Sequence, residues 1–121
     1  MSQFSVTVRE HDEARVVDLV GFLDAHTAPQ LEQTLQGLID SGDFRIVVNF
    51  RDLNYISSAG LGVFMAFIEE VRGNKGDIKM AGMSPKVYNV FDLLGFPMLY
   101  EIFDEEKQAV KKFNEGPSDK D

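Results

Sequence analysis

The sequence predicts a single α/β domain on a small mixed β-sheet with about four helices, and three features carry that expectation. A stretch near the start alternates apolar and polar residues and is followed, across a polar turn, by a second β-rich stretch, which reads as a hairpin. Beyond the hairpin, segments with helical periodicity alternate with short β-rich runs, the order that joins strands through helical crossovers. One of those runs, Ile46-Val47-Val48, is apolar without a break and suits a central strand covered on both faces, or one at least deeply placed. Right-handed crossovers then collect the connecting helices mainly on one face.

Taken in order, Phe4, Val6 and Val8 alternate with Ser5, Thr7 and Arg9 as a half-buried strand does. His11-Asp12-Glu13 is the polar turn, and Arg15 to Phe22 the second strand. Thr27 stands as an N-cap with Gln30 completing a capping box and Pro29 accepted in the first turn. Leu31, Leu35, Leu38 and Ile39 fall on one face of that helix, which Ser41-Gly42 stops. Phe44 to Phe50 is the third strand; a second helix follows and ends at Gly73 to Gly76. Ile78 to Ala81 reads as a short strand. Ser84 caps a third helix with Pro85 at its first position and Gly95 just past its end. Leu99 to Phe103 gives a last strand, and Asp104 caps a final helix that turns Ala109, Val110 and Phe113 inward. The domain is expected over residues 1–113, with 114–121 a disordered polar tail that has nothing to bury.

Composition narrows the function. At 121 residues the chain fits one domain with a real core. No run reaches the ~20 apolar residues that cross a bilayer, and the start shows no basic-then-apolar leader, so a cytoplasmic location is expected. The absence of cysteine excludes thiol chemistry and a disulfide framework. A formal net charge of −8 argues against nucleic acid as a partner and weakens the case for an anionic membrane. It can also speed encounter with a basic patch on a partner protein.

The most informative stretch runs from Leu53 to Phe64: a hydrophobic strand, the adjacent serines Ser57 and Ser58, then a helix opened by Ala59, Gly60 and Gly62. A helix start leaves backbone N–H groups without partners and carries partial positive charge. A serine there can cap the helix, or can carry a phosphate that the helix end stabilises. On the helical wheel Leu61, Phe64, Met65 and Ile68 form one apolar stripe, which Gly60, Val63, Phe67 and Val71 widen. Either the helix packs deeply on two sides, or the region of Gly60, Val63 and Phe67 stays exposed as a docking patch beside Ser58.

Tyr55-Ile56-Ser57-Ser58-Ala59-Gly60-Leu61 after a strand resembles the signature of STAS-domain anti-sigma-factor antagonists, bacterial proteins switched by serine phosphorylation. Gly21-Phe22-Leu23-Asp24 with Thr27 is similar to that family's turn into its first helix, and Ser84-Pro85, Val87, Phe91, Leu94 and Gly95 to its third. The resemblance spans roughly residues 4–113 and implies a STAS-like fold, a mixed sheet with helices mainly on one side. It places the phosphorylated serine at Ser58, with Ser57 where many members carry aspartate. It implies a partner-binding surface of Asp24, Ser57, Ser58, Ala59, Gly60, Gly62, Val63 and Phe67. The implied partners are an anti-sigma-factor serine kinase and a metal-dependent serine phosphatase. Two other roles stay open: a STAS regulatory subunit of another signalling, secretion or transport complex, and a module holding a nucleotide or anion at the helix start.

Catalysis by the chain itself is not expected. The only histidines are His11 and His26, and an Asp24–His26–Ser58 triad would need Asp and His to align two residues apart in one turn. Ser58 lacks the Gly-x-Ser-x-Gly setting of a nucleophile elbow. No dinucleotide or Walker motif and no metal-ligand cluster occurs, so neither cofactor nor metal is expected. Asp24 reads first as a residue that orders its turn, and second as a partner contact.

Overall fold

The computed structural model describes residues 4–115; most of the expected polar tail lies outside the described residues. Strands β1 (Phe4–His11), β2 (Ala14–Leu23), β3 (Arg45–Ile56), β4 (Asp77–Ala81) and β5 (Ile102–Phe103) form one sheet in sequence order. Helices α1 (Ala28–Asp40), α2 (Ser58–Gly73), α3 (Pro85–Leu93) and α4 (Glu106–Asn114) connect or follow them. β1 and β2 are antiparallel, and every later neighbour is parallel.

Two apolar layers flank the sheet. The larger packs α1, α2 and α3 on one face around Leu35, Phe50, Phe64, Phe91 and Ile78, with Phe50 and Phe91 edge-on at 5.3 Å between ring centroids. The smaller lies under α4 alone, where Ala109 and Val110 cover Ala14, Val16, Val47 and Ala81. Ile46 and Val48 enter the first layer and Val47 the second, so the unbroken apolar run does belong to a strand buried on both faces.

Four local expectations change. β3 runs six residues past Phe50, pairing Gly21 with Leu53, Phe22 with Tyr55 and Leu23 with Ile56. Two irregularities in its pairing with β2 lie along this extension, which joins the Phe44–Phe50 run to the hydrophobic strand expected from Leu53 into one element. Thr27 occupies the N-cap position of α1 without capping it: its Oγ1 donates to the Phe22 carbonyl at 2.9 Å and accepts from the Asp24 amide at 2.9 Å. With helical φ and ψ of −102° and −16°, Thr27 points its hydroxyl back at the turn, and Gln30 completes no capping box. Glu105, not Asp104, starts α4, its amide donating to Gln108 Oε1 at 2.9 Å. Finally, a short 3-10 turn (Phe96–Met98) seats Tyr100 on Phe96 and leaves only Ile102 and Phe103 to pair. The Ser84 cap holds, its Oγ accepting from the Val87 amide at 3.2 Å, and Gly95 follows α3 with a positive φ of 78°.

Candidate functional site

Parallel pairing brings the candidate residues together. Leu23 and Ile56 are register partners at the ends of β2 and β3, so the chains leave the sheet side by side as Asp24 and Ser57. The Ser57 amide donates to the Leu23 carbonyl at 2.9 Å and ties the two loops. Asp24 orders its own turn: Oδ1 accepts from the His26 amide at 2.9 Å and the Thr27 amide at 3.2 Å, while its carbonyl accepts the Ala28 amide at 2.8 Å. The turn reading of Asp24 therefore stands. Its carboxylate engages the backbone of His26, which is not the imidazole contact a triad needs.

The two serines differ. Ser57 is the N-cap residue of α2, with extended φ and ψ of −105° and 173°, yet its Oγ is enclosed and has no hydrogen-bond partner. Ser58 is the first helical residue and is exposed, as is Ala59. The first helical bond of α2 runs from the Leu61 amide to the Ser57 carbonyl at 3.2 Å, so the amides of Ser58, Ala59 and Gly60 precede the ladder. Neither serine caps the helix with its side chain.

Gly60 and Gly62, two residues apart, do different work. A Cβ on Gly60 would stand 2.7 Å from Leu23 Cγ and 3.1 Å from Ile56 Cγ1, so the missing side chain lets α2 press on the ends of β2 and β3. Gly62 is exposed with nothing near its Cβ position. One member of the expected apolar arc of α2 falls outside it. Val63 is only 3% exposed and Gly60 is buried, whereas Met65, expected inward, is 50% exposed. Leu61, Phe64 and Val71 are buried, and Phe67 and Ile68 pack half-buried against the same core. An exposed docking patch at Gly60 and Val63 is therefore ruled out. The outward surface beside Ser58 is Ala59, Gly62, Met65 and Ala66.

Sequence reasoning missed one neighbouring feature. Phe22 and Tyr55 lie opposite each other across β2 and β3 with ring centroids 5.9 Å apart, and both stay more than 40% exposed. With Val20 they sit on the sheet face that carries α4, beyond the reach of that helix. The signal available was the shared parity of Val20 and Phe22 along β2, on the face opposite Leu19 and Leu23.

On the same face a polar network fastens α4. Arg9 Nη2 donates to Glu106 Oε1 at 2.5 Å and Arg9 Nε to Asp18 Oδ2 at 2.6 Å, while His11 Nδ1 lies 2.5 Å from Glu106 Oε2. The hydrogen bond from Arg9 holds the Glu106 carboxyl below its ordinary range against the opposing effect of burial.

Comparison with known proteins settles the lineage. The STAS domain model matches residues 5–109. The chain belongs to the STAS domain family. The BtrV protein of Bordetella bronchiseptica is 30% identical over 108 residues, covering 89% of this chain and 93% of its own. The anti-sigma-B factor antagonist of Bacillus subtilis is 29% identical over 108 residues, covering 88% and 97%. Among solved structures, an anti-sigma factor antagonist from Mycobacterium paratuberculosis superposes with a TM-score of 0.84 at 22% identity over 91% of this chain and 93% of that one. The unphosphorylated form of the anti-sigma factor antagonist SpoIIAA gives 0.80 at 22% identity, over 94% and 100%. These likenesses show the STAS fold. Among the described residues no helix is long and apolar enough to cross a membrane.

Proposed function

We propose that this STAS protein is an anti-sigma-factor antagonist that works by partner switching in the cytoplasm. Unphosphorylated, it binds an anti-sigma-factor serine kinase; phosphorylation of Ser58 ends that complex, and a metal-dependent serine phosphatase restores it. The chain is ligand and substrate in this cycle and performs no catalysis. The observation that carries the reading is Ser58 itself, exposed at the first turn of a helix whose start no side chain caps. Ser57 is a poor acceptor by comparison because its hydroxyl is enclosed. The names of the relatives, anti-sigma-B factor antagonist among them, support the same reading.

In this proposal the partner meets Asp24, Ser58, Ala59 and Gly62. Gly60, Val63 and Phe67 contribute from beneath by fixing how α2 lies, and Ser57 by holding the two loops together. A phosphate adds roughly −1.5 to −2 charges. At a helix N-terminus that charge is stabilising by ~0.3–1 kcal/mol, so the fold survives it. In a packed interface the same group is desolvated, and a loss of ~3–4 kcal/mol weakens binding roughly 100- to 1000-fold. The test uses wild type and Ser58→Asp as parallel baits in lysate of the native cell, read by mass spectrometry, with melting curves for both. A kinase-like ATPase captured by wild type and lost with Ser58→Asp at unchanged melting temperature is the expected result. Equal capture of that ATPase by both baits would leave Ser58 without a switching role.

The uncapped start of α2 also favours a second reading, a module that holds a free nucleotide or anion there. Calorimetry with ATP and GTP on unphosphorylated protein separates the two, since the switching reading expects no heat.

A further inference from the structure

The sheet has one long open edge. β1 lies outermost with eight residues, and among the described residues its outer side pairs with nothing, while the opposite edge, β5, is two residues long. A row of unpaired backbone N–H and C=O groups of that length is a template for another strand. We propose that β1 pairs antiparallel with β1 of a second copy of this chain, joining two five-stranded sheets across a two-fold axis.

The residues on β1 choose both occupant and register. Pairing with β2 turns Phe4, Val6, Val8 and Glu10 toward the face of α1 to α3, and Ser5, Thr7, Arg9 and His11 toward the face of α4. A two-fold axis normal to the sheet keeps faces matched, so only residues of the same face stand opposite one another. Centring the axis on Thr7 sets Val6 against Val8 of the second copy, Ser5 against Arg9 and Phe4 against Glu10, with no like charges opposed. Centring it on Arg9 would bring two guanidinium groups together. The apolar residues fill the first part of β1 and the charges the second, an arrangement that a reversed copy of the same strand complements. Val8, 42% exposed, gains the cover it lacks, and Arg9 stays held on its own chain by Asp18 and Glu106.

This pairing leaves the serine site free. β1 begins beside Gly21, at the end of the sheet where Asp24 and Ser58 emerge, so reversing the second copy sends its serine loop to the opposite end. The dimer presents two separate Ser58 surfaces. An edge contact of this kind buries less than the ~1,200 Å² of a standard interface, so self-association in the micromolar range is expected.

The chain has no cysteine, which makes a register-specific crosslink clean to read. Opposite residues of an antiparallel pair have Cα atoms about 4.5–5.5 Å apart, inside the ~4.4–6.8 Å that a disulfide spans. Thr7→Cys is therefore expected to oxidise to a covalent dimer at least about tenfold faster than Ser41→Cys, an exposed control at the end of α1. Sedimentation velocity of wild type is expected to move from monomer toward dimer as concentration rises into the high micromolar range, and Val8→Lys to abolish the shift without changing the circular dichroism spectrum. A wild type that stays monomeric throughout, or a Thr7→Cys no faster than Ser41→Cys, overturns the proposal.

Discussion

Gly60→Ala and Gly62→Ala, a pair two residues apart on α2, test how the serine site is held. On helix propensity alone both substitutions stabilise, by up to ~1 kcal/mol for a helix interior and less in the first turn. The structure separates them. At Gly60 the new Cβ would stand 2.7 Å from Leu23 Cγ and 2.9 Å from Leu23 Cδ2, and Leu23 is fully buried and cannot swing into solvent. Relieving the clash means lifting the start of α2 off β2 and β3 or forcing Leu23 off its rotamer, an overpacking cost of ~1–3 kcal/mol. Setting that against the smaller propensity gain leaves a net loss of about 1–2 kcal/mol. For a domain near this size each kcal/mol moves the melting temperature by about 4 °C, so Gly60→Ala should melt about 4–8 °C lower. At Gly62 nothing lies within 4 Å of the Cβ position, and the variant should melt at or a few degrees above wild type. Calorimetry and urea titration of both variants measure the difference. If Gly60→Ala matched or exceeded wild type, the close seating of α2 on Leu23 and Ile56 would be wrong.

Three other substitutions follow from the same contacts. Ser57→Ala should change stability by less than ~0.5 kcal/mol, because the enclosed Oγ makes no bond, whereas loss of a true cap costs ~1 kcal/mol in urea titration. Tyr100→Phe should be neutral or stabilising by roughly 1 kcal/mol, since the Tyr100 hydroxyl is buried without a partner; a loss above that size would reveal one. In wild type, burial pushes that phenol up to about 12, so one of the three tyrosines should resist ionisation in an ultraviolet titration until near that pH. The Glu106 carboxyl is held low in the folded chain, so its contribution is complete above its ordinary value of 4.5 and is lost as pH falls through the depressed one. Glu106→Gln should accordingly flatten the acid limb of the stability curve, with the amide exchange of α4 rising first.

Much of this architecture was legible from residues that answer to local rules. Ser84-Pro85 and Gly95 mark the ends of α3 because a cap, a fixed φ and a positive φ are properties of single positions. Ile46-Val47-Val48 announced a deeply placed strand, because three consecutive apolar β-formers call for burial, and of the two placements offered the structure takes the one covered on both faces. What could not be read was set by partners distant in sequence. Thr27 looked like a cap, but its hydroxyl turns back to the Phe22 carbonyl once the Asp24 turn forms. β3 runs unbroken through Arg51 and Asp52, joining two expected strand segments, because β2 is there to pair with it through register irregularities. On α2 the deep-packing alternative holds for Gly60 and Val63, whereas Met65, expected inward, came out. The residue pattern placed both serines at a helix start, and only the three-dimensional structure distinguished the exposed Ser58 from the enclosed hydroxyl of Ser57.

That distinction bears on how the proposed switch can act without unfolding the domain. A phosphate on Ser58 would stand at amides that no side chain occupies, so the modified residue displaces nothing and α2 keeps its place. What changes is the exposed surface alone, and an added charge of roughly −2 there joins a chain already at −8. A partner drawn by its own basic patch would still be attracted at long range, and salt would screen that attraction. The loss must therefore come at short range, from desolvating the phosphate against the partner surface that Ser58 met as a hydroxyl. Long-range attraction and short-range exclusion separate kinetically: the switch should appear as faster dissociation with little change in association rate. Surface plasmon resonance of the kinase on wild type and Ser58→Asp reads both rates. A fall confined to the association rate would instead locate the effect in electrostatic steering, and the interface argument for Ser58 would fail.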